Sequence, residues 1–195
     1  MVDWWAVGVA SRVVECIAKP LTLVLLIGAA LALEPVEPDV RGWFVAGLVA
    51  SLIGDVVLLL ADRWFVGGLA AFLVAHGLYI VGFSIHGPRW PWWLIGLALA
   101  GTAVAFVLPP LLAGVRRHEA ELVAPVTGYV CAISAMVVVG VGAGHGLAAG
   151  GALAFFASDA CLGWARFVRP FPGHRVAVHS SYHLGQALLV AWLAR

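Results

Sequence analysis

Long apolar stretches with almost no charged residues dominate this sequence. A helix that crosses a lipid bilayer needs about 20 mostly apolar residues. Five stretches approach or exceed that length, at residues 43–60, 65–85, 92–108, 122–143 and 147–165. Only 11% of the 195 residues are Asp, Glu, Lys or Arg, whereas a water-soluble protein uses roughly a quarter. The chain is therefore predicted to be a multi-pass helical membrane protein.

Three further segments decide the helix count. Residues 176–193 are apolar after an opening polar run, and residues 20–33 begin at Pro20, which suits the first turn of a helix. Residues 4–18 contain two charged residues and predict either a short tilted span or an interfacial helix. We therefore predict one all-α membrane domain over residues 1–195. It has about eight transmembrane helices, or seven if residues 4–18 lie at the interface.

Proline and glycine residues mark two predicted helix boundaries. Pro109 and Pro110 follow residues 92–108 and are expected to end that helix. The glycine-rich run at residues 140–146 resembles a phosphate-binding loop, but no strand precedes it. We interpret this run as a tight turn between closely packed helices.

Charge and cysteine content exclude other classes of protein. A formal net charge of +1 lacks the basic footprint of a nucleic-acid-binding protein. Cys16, Cys131 and Cys161 are scattered without a CxxC pair, and so predict apolar packing positions rather than a disulfide or zinc site. The first residues lack a basic segment before their apolar part, so no cleaved signal peptide is expected. No cofactor is expected.

The basic residues of the loops predict the orientation in the membrane. With eight helices, one side of the bilayer collects most of them: Arg63, Arg116, Arg117, Arg166, Arg169 and Arg175, with Lys19 at its edge. The opposite side collects Arg41, Arg89 and Arg195. We expect the first side to be cytoplasmic and the protein to lie in a bacterial plasma membrane.

Two carboxylates are predicted to lie inside the hydrocarbon, where an ionisable residue costs at least a few kcal/mol. Asp55 lies seven residues before Asp62, and Asp159 lies seven residues before Arg166. Both helices run toward the cytoplasmic side, so the two carboxylates are expected at the same depth, roughly 10 Å below that surface. This matched depth predicts one cavity that opens to the cytoplasm.

Other polar residues accompany the two carboxylates in the same half of the bilayer: Tyr182 and His183 at similar depth, Lys19 at the border, and Gln186 and His76 slightly deeper. A purely structural interpretation stays open, in which Asp55 and Asp159 pair with Lys19 or Arg166 and fix helix packing. His179 and His183 are spaced like a metal-chelating pair on one helical face. Because their helix begins at the interface, two solvated histidines are the simpler expectation.

Four motifs follow one another along the chain: KPLT at residues 19–22, SLIGDVVLLL at 51–60, FLVAHGLY at 72–79 and SDACLGWARF at 158–167. Tyr182 and Gln186 follow in the last helix. Together these residues resemble the YhhN family, whose members include lysoplasmalogenases. The resemblance runs over nearly the whole chain in the same order and spacing.

The resemblance implies hydrolysis of the vinyl ether bond of a lysophospholipid, giving a fatty aldehyde and a glycerophospho-headgroup alcohol. This reaction needs an acid, a base and negative charge near an oxocarbenium ion. Asp55 and Asp159 are the candidate catalytic residues, and the reaction requires no metal. His76, Tyr79, Tyr182 and Gln186 are candidates to line the substrate site and orient water or the carboxylates. Lys19 and Arg166 are candidates to meet the substrate phosphate.

Two other functions remain open on the residues alone. One is a metal-dependent hydrolase with His179, His183, His76 and one aspartate as ligands. The other is a proton-coupled transporter, in which the same buried carboxylates relay protons. The native substrate and the oligomeric state are not determined by these patterns.

Overall fold

The protein is described here by a computed structural model that covers residues 12–60, 62–85, 87 and 89–194. These residues form seven α-helices joined by short connections: α1 (Arg12–Ala32), α2 (Pro38–Leu60), α3 (Phe65–Ser84), α4 (Trp92–His118), α5 (Val123–Gly142), α6 (Gly146–Gly163) and α7 (His174–Leu193). Single 3₁₀ turns at Asp62–Trp64 and Ala120–Leu122 precede α3 and α5, and α6 continues into a π-helical turn at Trp164–Val168.

Five of the helices form a closed ring. The most extensive contacts join consecutive helices in the pairs α2–α3, α4–α5 and α6–α7. Further contacts of α3 with α5, of α5 with α6 and of α7 with α2 complete the ring. Helix α1 packs against α2 and α7, while α4 lies outside the ring against α5 and the π-helical turn. The polar side chains that the sequence singles out therefore have an enclosed interior to occupy.

The predicted all-α membrane bundle is confirmed by the length and composition of these helices. Five segments are long and apolar enough to cross a bilayer: Pro38–Leu60, Phe65–Ser84, Trp92–His118, Ala120–Gly142 and Gly146–Val168. Large apolar side chains face outward, including Phe106 at 77% exposed, as lipid contact requires. Helix α7 has 20 residues but is less apolar, because it carries buried polar side chains.

The start of the bundle differs from the predicted division into two helices. Residues 12–32 form one continuous helix, α1, with Pro20 in its interior rather than in a first turn. A helix break inside hydrocarbon would leave several backbone groups unpaired, which costs more than the single hydrogen bond that a proline removes. Thr22 also donates its hydroxyl hydrogen to the Ala18 carbonyl oxygen at 2.8 Å. The predicted count of eight is therefore too high for the described residues, and the earlier part of segment 4–18, before residue 12, lies outside them.

The predicted stop at the double proline is wrong, whereas the predicted glycine turn is confirmed. Helix α4 continues through Pro109 and Pro110 to His118. As in α1, a break inside hydrocarbon would leave more backbone groups unpaired than the prolines do. Gly144 has a φ of 66° between α5 and α6, a left-handed conformation that favours glycine. A Cβ on Gly140 would lie 2.7 Å from the Ala152 side chain, so the two helices approach closely there.

Glycine also brings α6 and α7 together next to the polar interior. A Cβ on Gly185 would lie 3.0 Å from the Gly151 carbonyl oxygen and from the Phe155 backbone nitrogen. Small residues allow such backbone approach in membrane helices. As a result, the rings of Phe155 and Tyr182 meet edge to face with centroids 5.3 Å apart.

Candidate active site

Asp55 lies in the centre of a charged cluster formed by α1, α2 and α7. Its carboxylate is fully buried, and the Lys19 ammonium nitrogen lies 2.8 Å from its Oδ1 atom. The Tyr182 hydroxyl group donates a hydrogen bond of 2.8 Å to Oδ2. A buried carboxylate requires such partners, because an unpaired charge in a low-dielectric interior is strongly unfavourable. The structural expectation that Lys19 pairs with Asp55 is thus confirmed.

Asp159 forms a second cluster with side chains of α3 and α5. The Tyr129 hydroxyl group donates a hydrogen bond of 2.6 Å to its Oδ2 atom. The His76 Nε2 atom lies 3.3 Å from the same oxygen and 3.0 Å from the Tyr129 oxygen. Because the tyrosine hydrogen is directed at the carboxylate, His76 Nε2 acts as the donor to Tyr129. His76 is fully buried, whereas the Asp159 side chain is 15% exposed.

Tyr79 and Gln186 form a third buried contact near these clusters. The Tyr79 hydroxyl group donates a hydrogen bond of 2.7 Å to Gln186 Oε1. Both side chains are fully buried and connect α3 to α7. Gln186 also interacts with the Tyr182 hydroxyl group, which binds Asp55. Tyr79 and Gln186 therefore hold the Tyr182 side chain, and through it the Asp55 cluster, in place.

One aromatic ring separates the two carboxylate clusters. The Phe155 centroid lies 4.9 Å from that of His76, which belongs to the Asp159 cluster. It also lies 5.3 Å from the Tyr182 centroid, which belongs to the Asp55 cluster. The two clusters are therefore neighbours in one core, but they are divided by a phenylalanine side chain.

Two adjacent cavities lie beside these clusters, rather than the single cavity that the matched depths predict. The apolar cavity is narrow, about 60 Å³, and Asp159 and Tyr129 are the polar residues of its otherwise hydrophobic lining. The larger basic cavity, about 400 Å³, is lined by cationic and apolar side chains and includes Lys19. Asp55 lines neither cavity. The two carboxylates are thus unequal, since Asp159 alone opens onto one of these spaces.

Arg166 lies on the π-helical turn and lines the basic cavity. Its Nη2 atom donates to both Glu119 carboxylate oxygens at 3.1 and 3.2 Å. Its guanidinium group also stacks over the Phe65 ring at 3.9 Å. Arg166 therefore pairs with Glu119 rather than with either aspartate in the ion pairs that the structure describes.

His179 and His183 face the protein interior, which contradicts the expectation of solvated histidines. Each is only 6% exposed, because the face of α7 that carries Tyr182 and Gln186 also carries these rings into the bundle. Their ring centroids are 6.3 Å apart. Among the described residues, no group of three or more His, Cys, Asp or Glu side chains converges on a point that suits a metal ion. The ligand set that the metal-dependent alternative needs is therefore not assembled there.

Tyr129 is the functional candidate that the sequence analysis missed. It stands alone in a helix without charged residues, so no motif marks it. It does follow Val123, the first residue of α5, by six positions, or about 9 Å along the helix axis. The same depth argument that joined Asp55 with Asp159 would therefore have found it. Glu119 and His174 were also missed, because their roles depend on neighbours from other helices.

Comparisons with known proteins agree with the arrangement of these motifs. The model of the YhhN family matches residues 14–193. The chain is 33% identical over 143 residues to Lysoplasmalogenase TMEM86B of Homo sapiens. The aligned region covers 73% of this chain and 59% of that protein. It is 30% identical over 184 residues to Lysoplasmalogenase TMEM86A of Bos taurus, covering 92% of this chain and 76% of that protein.

The chain thus spans about three fifths of the length of the human relative that it matches. No solved structure matches it. The family model covers most of the chain, including the residues of both aspartate clusters and those that line both cavities. On this ground the chain belongs to the YhhN family.

Proposed function

We propose that this chain hydrolyses the vinyl ether bond of lysoplasmalogens to a fatty aldehyde and glycerophosphoethanolamine or glycerophosphocholine. The substrate class comes from the relatives named lysoplasmalogenase. The observation that carries the proposal is the position of Asp159, a carboxyl group at the wall of an apolar cavity. The apolar lining of this cavity suits the alkenyl end of such a lipid, and a carboxyl group beside it can exchange a proton with the double bond. The substrate would come from the surrounding lipid of a bacterial plasma membrane.

The chemistry requires one proton to move to carbon and one water molecule to be activated. Protonation of the β-carbon of the vinyl ether gives an oxocarbenium ion, and water attacks the carbon beside the oxygen. The resulting hemiacetal collapses to the aldehyde and the glycerophospho alcohol. A positioned acid and base each accelerate such steps by typically 10²–10⁴-fold, and a carboxylate near the cation adds electrostatic stabilisation.

Asp159 is the group that we assign to both proton transfers. Its Oδ2 atom accepts the hydrogen bond from Tyr129 and faces His76 Nε2. Oδ1 is left to carry the proton that is delivered to the β-carbon. The ionised carboxylate then stabilises the oxocarbenium ion and accepts a proton from the attacking water. Tyr129 and His76 hold the carboxyl group in one orientation and disperse its charge during these steps.

Asp55 is assigned a different role, as a positioning residue. It is fully buried and is separated from Asp159 by Phe155. Its partners are Lys19, which lines the basic cavity, and Tyr182. In this proposal Asp55 fixes the Lys19 ammonium group at that cavity, and Tyr79 and Gln186 support the Tyr182 side of the cluster. Lys19 and Arg166 remain our candidates to meet the substrate phosphate.

The direct test is turnover by the purified protein. The chain in nonionic detergent should release aldehyde from a lysoplasmalogen and none from the saturated alkyl ether lysolipid of equal chain length. Activity should persist in the presence of a chelator, because acid–base groups alone perform the reaction. An absence of aldehyde from monodisperse protein would contradict the proposal. Proton uptake by proteoliposomes that contain the same protein would then favour the transporter.

A further inference from the structure

Among the described residues that line it, the basic cavity presents five cationic or potentially cationic side chains and no acidic one. These are Lys19, Arg166, His174, Arg175 and His179. Its volume of about 400 Å³ lies at the end of the bundle where α7 begins and the π-helical turn ends α6. A concentration of positive charge in a partly enclosed space attracts anions more strongly than the same charges on an open surface.

The basic cavity adjoins the apolar cavity. Three side chains, Leu58, Phe65 and Leu162, line both of them. The remaining lining of the apolar cavity is almost entirely hydrophobic, apart from Asp159 and Tyr129. One cationic and one apolar space that share a wall suit a ligand with an anionic end and an apolar chain.

We propose that the basic cavity binds the phosphate of a single-chain phospholipid, with His174, Arg175 and His179 as ligands in addition to Lys19. The hydrocarbon chain passes the shared wall and enters the apolar cavity. This inference deepens the proposed function and rests on it for the identity of the chain as an alkenyl ether. The three added ligands, His174, Arg175 and His179, lie outside the motifs that carry the family resemblance.

The first turn of α7 supplies two of the new ligands, His174 and Arg175, in a favourable setting. The His174 Nδ1 atom lies 2.8 Å from the Phe171 carbonyl oxygen, so Nδ1 is the donor and Nε2 is directed elsewhere. Arg175 follows it at the start of a 20-residue helix, where the helix dipole adds positive potential. Arginine can bind a phosphate through two parallel hydrogen bonds. Arg166 contributes less charge, because Glu119 already binds it through both carboxylate oxygens.

The proposed arrangement brings the reacting bond toward Asp159. In a lysoplasmalogen, only the glycerol unit separates the phosphate from the vinyl ether. A phosphate in the basic cavity would therefore leave the ether close to the shared wall of Leu58, Phe65 and Leu162. Asp159 lies on the other side of that wall, in the apolar cavity. Headgroup binding would thus set which carbon of the chain meets the carboxyl group.

The test uses the full chain in nonionic detergent and a lysophosphatidylcholine whose chain is a saturated alkyl ether, which the proposed reaction does not cleave. Thermophoresis measures its Kd beside three reference ligands: a fatty alcohol of the same length, glycerophosphocholine and inorganic phosphate. We expect the lysolipid to bind more tightly than any of the three. Arg175→Gln and His179→Gln should each weaken lysolipid binding about tenfold, the effect of one charge-assisted hydrogen bond, and leave the Kd of the fatty alcohol unchanged.

Arg117→Gln is the matched control, because Arg117 is an exposed arginine near the same end of the bundle and outside both cavities. It should bind the lysolipid like the wild type. Wild-type affinity in both Arg175→Gln and His179→Gln would overturn the headgroup site. Equal affinity for inorganic phosphate and lysolipid would overturn the lipid assignment in favour of a free-phosphate site. The probe is not hydrolysed, so binding and turnover are measured independently. Charge-dependent binding of the alkyl ether lysolipid without hydrolysis of lysoplasmalogen would refute only the proposed function. Hydrolysis of lysoplasmalogen without charge-dependent binding of the probe would refute only this inference.

Discussion

The Lys19 ammonium nitrogen lies 2.8 Å from Asp55 Oδ1, and this ion pair is buried where α1 meets α2 and α7. The two partners are not equivalent. Asp55 is fully enclosed, whereas Lys19 also borders the basic cavity. The pair therefore connects a fully buried carboxylate to the space that we assign to the substrate phosphate.

Removing the cation of this pair should cost more stability than removing the anion. Lys19→Met leaves a carboxylate buried without its main partner, and breaking a buried pair costs about 3–5 kcal/mol. Asp55→Asn leaves Lys19 beside the basic cavity, where water can reach it. The double variant should recover much of the loss caused by Lys19→Met. Unfolding of the four proteins by SDS titration measures these differences, and strictly additive effects would contradict the pairing.

Lys19→Arg distinguishes a positioning role of Asp55 from simple structural support. Arginine keeps the charge, so Lys19→Arg should recover part of the stability and of the lysolipid binding that Lys19→Met loses. Asp55→Asn should raise KM for the lysoplasmalogen more than it lowers kcat, because Asp55 acts through Lys19. A loss confined to kcat in folded Asp55→Asn protein would instead assign Asp55 to the chemical step.

Asp159→Asn should abolish vinyl ether hydrolysis while the protein still folds. An amide keeps the volume of the side chain and can accept the Tyr129 hydrogen bond, but it cannot donate an acidic proton. Loss of such catalysis typically lowers turnover 10²–10⁴-fold. The measurement is kcat per monodisperse protein, together with the melting temperature. Wild-type turnover in Asp159→Asn would remove this residue from the mechanism.

Tyr129→Phe should reduce turnover about tenfold, because it removes the 2.6 Å hydrogen bond to Asp159 and leaves the carboxyl group to rotate. Tyr79→Phe is the matched comparison, since Tyr79 binds Gln186 rather than an aspartate. It should cost stability and affect kcat less. Equal losses of kcat in the two variants would show that tyrosine hydroxyl groups act only through packing.

Gly114→Ala should destabilise the bundle by about 1–3 kcal/mol through overpacking. A Cβ at this position of α4 would overlap the Phe167 carbonyl oxygen in the π-helical turn. Gly101, on the same helix, has open space where its Cβ would lie. Gly101→Ala should therefore be neutral or stabilising by up to roughly 1 kcal/mol. Similar melting temperatures for the two variants would refute the close contact between α4 and the turn.

The arginine distribution predicts that the connections at Arg63 and Arg117 face the cytoplasm and that Arg89 faces outside. Single cysteines at these positions, in a background lacking the three native cysteines, can be labelled in intact cells with an impermeant maleimide. Arg89→Cys should react, whereas Arg63→Cys and Arg117→Cys should react only after the membrane is opened. The reverse pattern would place the basic cavity on the outer side.

The sequence by itself determined the membrane bundle and the positions of most helices, and it predicted a depth for the polar residues within them. These are local properties: a run of about 20 apolar residues is long enough to span a bilayer, and the rise per residue converts sequence position into depth. Asp55 and Asp159 were found in this way. The same reasoning failed at Pro20 and at Pro109, because the stop signal of proline derives from helices in water, and hydrocarbon makes a break more costly than one missing hydrogen bond.

Only the tertiary structure decided which side chains meet. Depth fixes one coordinate of a residue, but the rotation of each helix about its own axis and its choice of neighbours depend on contacts between segments distant in sequence. The packing of the helices separates the two aspartates with Phe155, pairs Lys19 with Asp55 and Tyr129 with Asp159, and turns His179 and His183 inward. It also divides the expected single cavity into a basic and an apolar space, because Leu58, Phe65 and Leu162 converge from three different segments.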